Sequence, residues 1–542
     1  MDTLLKPTVF APAFIFLAVI LRELIRPKLP YEVNPRYPKL PVVGARPGEW
    51  FPELRAKWRN TLDIRKSTEE AYRYKDQACL FPIVDLGSCV ILPPCEVSWF
   101  HSQPEEILSA HIHQLNAFQL NYTVTDPRLV AETNPIHQVL INTKLTRETN
   151  SLLPALADEI AAPVDELWGL DDANYKQLCL MDEMPDVIGR VVNRVFVGAR
   201  CCKNKTLVNS AVTFSRGLGF TSVLLRCTAV VLRPLLGAFL TLPQKIATWR
   251  FFRELRPEVH RRLSAVKEGP EAQKELSRKH KDFLQWTIDA ALDDGDPYML
   301  KPDTIMGRVL LLNFVAIHTT SFAIAHVLMD LAANAVENID ELREEIVAGL
   351  RAQPDEEWSK QALLAMPKLD SVFRESQRMN SIVTVASPKP VCSKDGVTTP
   401  SGVHLEYGSY VAILSYPILN DPAIYPDPDK FQPFRFANAR AEAGKQGLLM
   451  EKARQGWTSV TRTYTAFGTG MHACPGRFFA ANLLKVMLAY LLLHYDLEKL
   501  PIRPRNSTFS VSIFPPLRAT VKFRRRKHPV GGIVWKRTVC TE

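Results

Sequence analysis

The sequence predicts a mostly α-helical protein with minor β sheets, on three observations. Long apolar stretches with helical periodicity run over 305–334, 361–381 and 477–494. Shorter alternating or Pro/Gly-bounded pieces at 82–92, 390–414 and 507–523 read as strands of small sheets. The 542 residues are 46% hydrophobic and 23% charged, which supplies a large core and excludes a disordered or collagen-like chain. Forty prolines require stiff, irregular segments between the helices, and no internal repeat is present.

The amino terminus reads as a membrane anchor over 1–26. Thr8 to Leu21 carries no charge. As a helix, the stretch from Leu4 to Ile25 would span about 33 Å, enough for one crossing, with Lys6, Arg22 and Glu23 reaching outward at its ends. A cleaved signal peptide fits less well, because no small-x-small site follows. Arg22, Arg26, Lys28, Arg36 and Lys39 follow instead, which places that side in the cytosol. Pro27, Pro30, Pro35, Pro38 and Pro41 then enforce a semi-rigid connector over 27–41. The body is expected over 42–523, with a basic tail over 524–542.

The net charge of +10 invites a nucleic-acid partner until it is located. Residues 501–542 hold +9 and residues 1–40 hold +3, so the body between them is −2. Arg524-Arg525-Arg526-Lys527 beside an anchored chain is expected against anionic headgroups or in solvent, with no nucleic acid bound. The ten cysteines include no CxxC pair, so neither a disulfide framework nor a zinc module is indicated and a reduced, cytosol-facing body is the default. Sequons at Asn121, Asn204 and Asn506 would argue for a lumenal body if glycosylated, but such short patterns arise easily by chance.

The densest chemistry is the run Phe467-Gly468-Thr469-Gly470-Met471-His472-Ala473-Cys474-Pro475-Gly476-Arg477. Its glycines allow a tight turn whose backbone can press on a flat ligand, with Phe467 as an aromatic plate. Cys474 is expected at the start of an amphipathic helix with Pro475 in its first position, where exposed amides favour a thiolate. A buried structural cysteine is the plain alternative. A lone thiolate with an open coordination side suits haem iron, since no second cysteine or paired histidine stands beside it to complete a zinc site.

This loop resembles the haem-binding signature of cytochrome P450 monooxygenases, and His472-Ala473-Cys474-Pro475-Gly476-Arg477-Phe478-Phe479-Ala480 is similar to the fungal microsomal members of secondary metabolism. The resemblance implies the cytochrome P450 fold behind one transmembrane helix, haem b with Cys474 as its iron ligand, and cofactor contacts from Phe467, Gly470, His472, Gly476 and Lys389. It further implies that Glu375 and Arg378 pair on a helix and are joined by Arg435, from Phe431-Gln432-Pro433-Phe434-Arg435-Phe436, in a buried network under the haem. Val315-Ala316-Ile317-His318-Thr319-Thr320 resembles the segment crossing the distal haem face, so that Thr319 helps deliver protons to oxygen. His318 replaces the usual acid and could relay protons at neutral pH, or be a packed core histidine. His472 stands where a basic propionate partner is usual, and no tryptophan-to-arginine motif appears near 136–148.

The same resemblance implies a monooxygenase that uses O2 and electrons from NADPH-cytochrome P450 reductase, docked on the cysteine side near Arg454, Arg477 and Lys485. Phe314, Val315, Ala316, Thr319 and Ile382-Val383-Thr384-Val385 would line a cavity for a lipophilic, terpenoid-type metabolite. Gly219 to Leu242, interrupted by Arg226 and Arg233, would dip into the bilayer surface. The expected location is the endoplasmic reticulum membrane, single-pass, with the body in the cytosol. A haem-thiolate isomerase, dehydratase or ring-coupling enzyme, or a non-enzymatic membrane haem-binding protein, remains open on sequence alone.

Overall fold

Proline sets the starts of the helices that position the site. Pro302 opens helix Pro302–Asn334 with Asp303 in its first turn, and Pro367 opens helix Pro367–Met379 with Asp370 near the start and Arg378 in the last turn. At these positions the missing N–H costs nothing, and the charges complement the helix dipole. The apolar stretch expected over 361–381 is therefore two helices, Lys360–Leu364 and Pro367–Met379, because Met366 before the proline is held out of the helical region at φ −114°, ψ 66°.

The structure is a computed structural model describing residues 17–18, 40–130, 136–468, 470–533 and 535. The expected anchor lies outside the described residues apart from Leu17 and Ala18, which are helical, and so does the connector apart from Leu40 and Pro41. Helices Thr146–Trp168, Leu180–Phe196, Lys205–Cys227, Leu242–Lys267, Pro302–Asn334, Pro367–Met379 and Arg477–His494 contribute to one large hydrophobic core. Helix Arg477–His494 is buried without interruption from Leu483 to His494, so it is a central core helix and not the amphipathic one expected. Helices Pro302–Asn334 and Arg477–His494 are long and apolar enough to cross a membrane, but most of each apolar window is buried inside the body.

The minor β part is richer than the sequence pattern suggested. A four-stranded sheet has the order Cys79–Ile83, Gly87–Ile91, Tyr410–Leu414, Val385–Pro390. Gly87–Ile91 and Tyr410–Leu414 run parallel, with Val90 opposite Val411. The register slips between Ala386 and Lys389, an irregularity of the kind that re-aims side chains, and Lys389 is fully buried. A three-stranded sheet joins Lys176–Cys179, Thr520–Arg525 and Tyr495–Leu497.

That last sheet corrects the expected boundary at 523. Arg524 and Arg525 lie inside strand Thr520–Arg525, and Arg525 bonds Asp165 at 2.8 Å. Arg524 and Arg526 both bond Asp496. Trp535 packs on Tyr490 and Trp358, with its indole N–H donating to the Ala157 carbonyl at 2.9 Å. Through Arg526 the basic run is thus held against body carboxylates, with the Arg524 and Arg526 side chains partly exposed.

Candidate active site

The cysteine loop folds back on itself through its own backbone. The Cys474 amide donates to the Phe467 carbonyl at 2.7 Å, Gly468 N–H to Thr465 at 2.8 Å, and Ala473 N–H to Gly470 at 3.3 Å. Gly468 and Gly470 have φ of +76° and +63°, and a Cβ on Gly470 would sit 3.1 Å from His101 Cβ. Both the conformation and the close approach therefore exclude a larger residue. Gly476 caps helix Arg477–His494, so Pro475 precedes the helix instead of opening it. Burial pushes the Cys474 thiol up, outweighing the backbone amides of Gly476 and Arg477 and the Arg477 charge that favour the thiolate. The amide donors expected to favour the thiolate are present, and burial opposes them.

Arg477 clamps the loop by donating to the Cys474 carbonyl at 2.8 Å and the Thr458 carbonyl at 3.2 Å. Trp457 stacks on Phe373 of helix Pro367–Met379 at 4.5 Å and 12°, and also meets Phe467 at 5.7 Å. Its indole N–H donates to Gln377 at 2.6 Å and its amide to Asp370 at 2.7 Å. Lys485 is buried, bonded to the Leu363 carbonyl at 2.6 Å and paired with Asp370 at 3.3 Å. It is a packing residue and cannot present its charge to a docking protein; Arg454 is exposed and can.

Beneath the loop, Glu375, Arg378 and Arg435 meet as expected. Arg378 binds Glu375 in a two-pronged contact at 2.8 and 3.0 Å, and Arg435 Nε reaches the same carboxylate at 3.1 Å. Glu375 and Arg378 are fully buried. Every remaining arm is used: Arg378 also donates to the carbonyls of Leu419 and Pro428, and Arg435 to those of Pro426 and Asp427. This is the geometry in which a buried ion pair repays its desolvation.

A second cluster gathers His101, Lys389, His472 and Glu105. His472 Nε2 lies 3.6 Å from Glu105, and Lys389 sits 4.8 Å over the Phe100 ring with only a 3.5 Å bond to the Phe100 carbonyl. Burial, Lys389 and His472 press His101 down to about 4, and burial presses Lys389 down to about 8 against the pull of Glu105. His472 is lowered by burial and Lys389, with Glu105 opposing. An arriving carboxylate would reverse the penalty on each base, so the donor set fits an anionic group such as a haem propionate. His101 escaped the sequence reading because nothing local marks it; only the fold brings helix Val97–Ser102 to the loop.

On helix Pro302–Asn334 the residues Val315 and Thr319 are exposed and Phe314, Ala316, His318 and Phe322 partly so, although the stretches 304–310 and 324–332 on either side are buried. Thr319 Oγ1 donates to the Val315 carbonyl at 2.7 Å, the local bond common to mid-helix threonines. His318 Nε2 is buried with no hydrogen-bond partner among the described residues, and burial together with Arg216 lowers its pKa to about 4. The imidazole is therefore neutral at pH 7, which corrects the expectation of a relay with an unperturbed pKa. Val383 is exposed, whereas Thr384 and Val385 are buried in backbone pairing and drop out of the expected lining.

The cytochrome P450 family profile matches residues 110–523. The chain belongs to the cytochrome P450 family. This P450 is 32% identical over 473 residues to cytochrome P450 monooxygenase htyF of Aspergillus rugulosus, covering 85% of this chain and 68% of that one. It is 29% identical over 497 residues to cytochrome P450 monooxygenase gloP of Glarea lozoyensis, covering 88% and 90%. It is 32% identical over 416 residues to cytochrome P450 monooxygenase 71 of Postia placenta, covering 76% and 78%. This P450 is thus a haem-thiolate monooxygenase, an oxidoreductase using O2, a small-molecule substrate and a redox partner. The shared name monooxygenase favours oxygen insertion over the isomerase, dehydratase, ring-coupling and non-enzymatic readings.

Proposed function

We propose that Cys474 is the iron ligand and that this P450 oxidises a lipophilic secondary metabolite of terpenoid type. The observation that carries the ligand assignment is the single thiol presented by a glycine loop closed by its own backbone bonds, clamped by Arg477 and packed through Phe467 on Trp457. When bound, thiolate-ligated haem supplies reductive activation of O2 and insertion of one oxygen atom into a C–H or C=C bond. His101, Lys389 and His472 would hold the propionates, with Phe467, Gly470 and Gly476 along the ring. Thr319 would hold a proton-bearing hydroxyl over the reacting face, and neutral His318 would orient it or a water as a hydrogen-bond partner without becoming charged. Val315, Phe314 and Val383 present mostly apolar surface, which suits a substrate held by shape.

Electrons would come from NADPH-cytochrome P450 reductase. The protein would sit in the endoplasmic reticulum membrane by one anchor with its body in the cytosol. Supporting this, Val230, Val231, Leu235, Phe239, Leu242, Ile246 and Trp249 are all exposed along one continuous stretch, the pattern of an interfacial segment. The Asn204 and Asn506 amides are engaged with Glu254 and Asn380, which disfavours glycosylation of these sequons.

The test is co-expression with a reductase and candidate precursors, followed by product analysis. Oxygen-18 incorporation from labelled O2 and the long-wavelength carbon monoxide band of the reduced protein are expected. Full activity in Cys474→Ala, or product without label, would sink the reading.

A further inference from the structure

A groove of about 750 Å³ opens between helix Leu242–Lys267, the start of helix Pro302–Asn334 and the segment 125–128. Arg128, Lys245, Arg253, Arg256 and Lys301 line it against only Asp126 and Asp303, with His260 at one side. Three of the five cations have acidic partners: Arg128 bonds Asp126 at 2.8 Å, Arg256 bonds Asp303 at 2.7 Å, and Arg253 bonds Glu254 at 2.7 Å. The three guanidinium groups are 43–67% exposed, so a phosphate could share their donors. Among the described residues Lys245 and Lys301 have no carboxylate within ion-pair distance, and Lys301 rests 5.8 Å over the Tyr298 ring. The first turn of the 33-residue helix Pro302–Asn334 forms part of the wall and adds its positive end.

The same helix that carries Lys245 and Arg253 also carries the exposed apolar residues Leu242, Ile246 and Trp249, which share a face at i, i+4 and i+7. Trp249 lines the groove and lies 5.1 Å under the Arg253 guanidinium. A cation-rich groove continuous with an exposed aromatic and aliphatic stripe matches a molecule with a phosphate head and an acyl tail.

We infer that this groove binds the phosphate of an anionic phospholipid, with the acyl chains against Trp249 and Ile246. The inference rests on the reading above that the stretch from Val230 to Trp249 touches a bilayer. It adds a headgroup preference that the apolar stripe alone would not produce. Such a site would fix the attitude of the body on the membrane, since Lys245 and Arg253 of the groove share helix Leu242–Lys267 with the apolar stripe.

The test is native mass spectrometry of the haem-loaded full chain in an uncharged detergent, offered dioleoyl-phosphatidylserine and dioleoyl-phosphatidylcholine at equal concentration. The expected result is one adduct per chain, with phosphatidylserine preferred at least about tenfold. The triple variant Lys245→Gln, Arg253→Gln, Lys301→Gln, all at exposed positions, should bring the preference to within about twofold while leaving phosphatidylcholine binding unchanged. Ile246→Ser with Trp249→Ser should lower both lipids equally. Equal binding of the two lipids, or a preference that survives the triple variant, overturns the site while the bilayer reading stands. Insensitivity of both lipids to the serine pair overturns the bilayer reading itself. Displacement of phosphatidylserine by equimolar inorganic phosphate would overturn the lipid assignment in favour of a free phosphate.

Discussion

The region beneath the cysteine loop and the middle of helix Pro302–Asn334 are built on opposite principles. Below, nearly every polar arm is paired: Glu375 takes both Arg378 and Arg435, Arg374 donates to the carbonyls of Arg454 and Gly456 between the rings of Phe436 and Tyr464, and Trp457 is held at three points. Above, Val315 is exposed, His318 Nε2 has no partner among the described residues, and Thr319 bonds only to its own helix. A ligand atom for iron must be held in one place, which a saturated network does. A face that receives a changing substrate needs uncommitted groups, and the physical cost of leaving them uncommitted is accepted there.

The comparison breaks most sharply at Cys474. Cys474→Ser is expected to abolish the thiolate-type carbon monoxide band and reduce turnover by at least about a thousandfold; retention of either would place the ligand elsewhere. Next, Arg378→Ala should cost about 3–5 kcal/mol by leaving Glu375 buried with one partner, read by chemical denaturation together with loss of haem absorbance. Conversion of both Glu375 and Arg378 to apolar residues should cost less than the single change, which tests the pairing itself.

The distal side should answer differently. Thr319→Ala is expected to leave stability within about 0.5 kcal/mol and to keep the haem spectrum, while product formed per NADPH consumed falls severalfold. A parallel loss of haem would make Thr319 a structural residue.

The smallest expected effect concerns pH. His318 has its folded pKa lowered to about 4 from 6.5, so the unfolded chain binds the proton first as pH falls. Stability is then lost below the unfolded value, by about 1.4 kcal/mol per unit for this group, until the folded value is reached. His318→Gln should flatten the slope between pH 6 and 4 by that amount, and leave stability between pH 7 and 8 without a pH trend from this position. An unchanged acid slope would mean the imidazole is not desolvated.

Much of the site was legible because it is local in sequence. The Phe467 to Arg477 loop and the Glu375/Arg378 spacing each state their geometry within one turn or one helix face, and the structure places them so. The readings that failed are those that needed a distant partner. Lys485 looked like a docking cation until Leu363 and Asp370 closed over it. Arg524 to Arg526 looked like a free basic patch until Asp165 and Asp496 met them across a sheet whose third strand, Lys176–Cys179, has no apolar pattern to announce it.

The sequence by itself determined the helical class and the glycine turn of the cysteine loop, since periodicity and turn conformation act over a few residues. Only the tertiary structure decided that His101 joins Lys389 and His472, that His318 is neutral, and that a basic groove adjoins an exposed apolar stripe. Burial and charge pairing depend on what long-range packing brings within a few ångströms, and no local pattern carries that information.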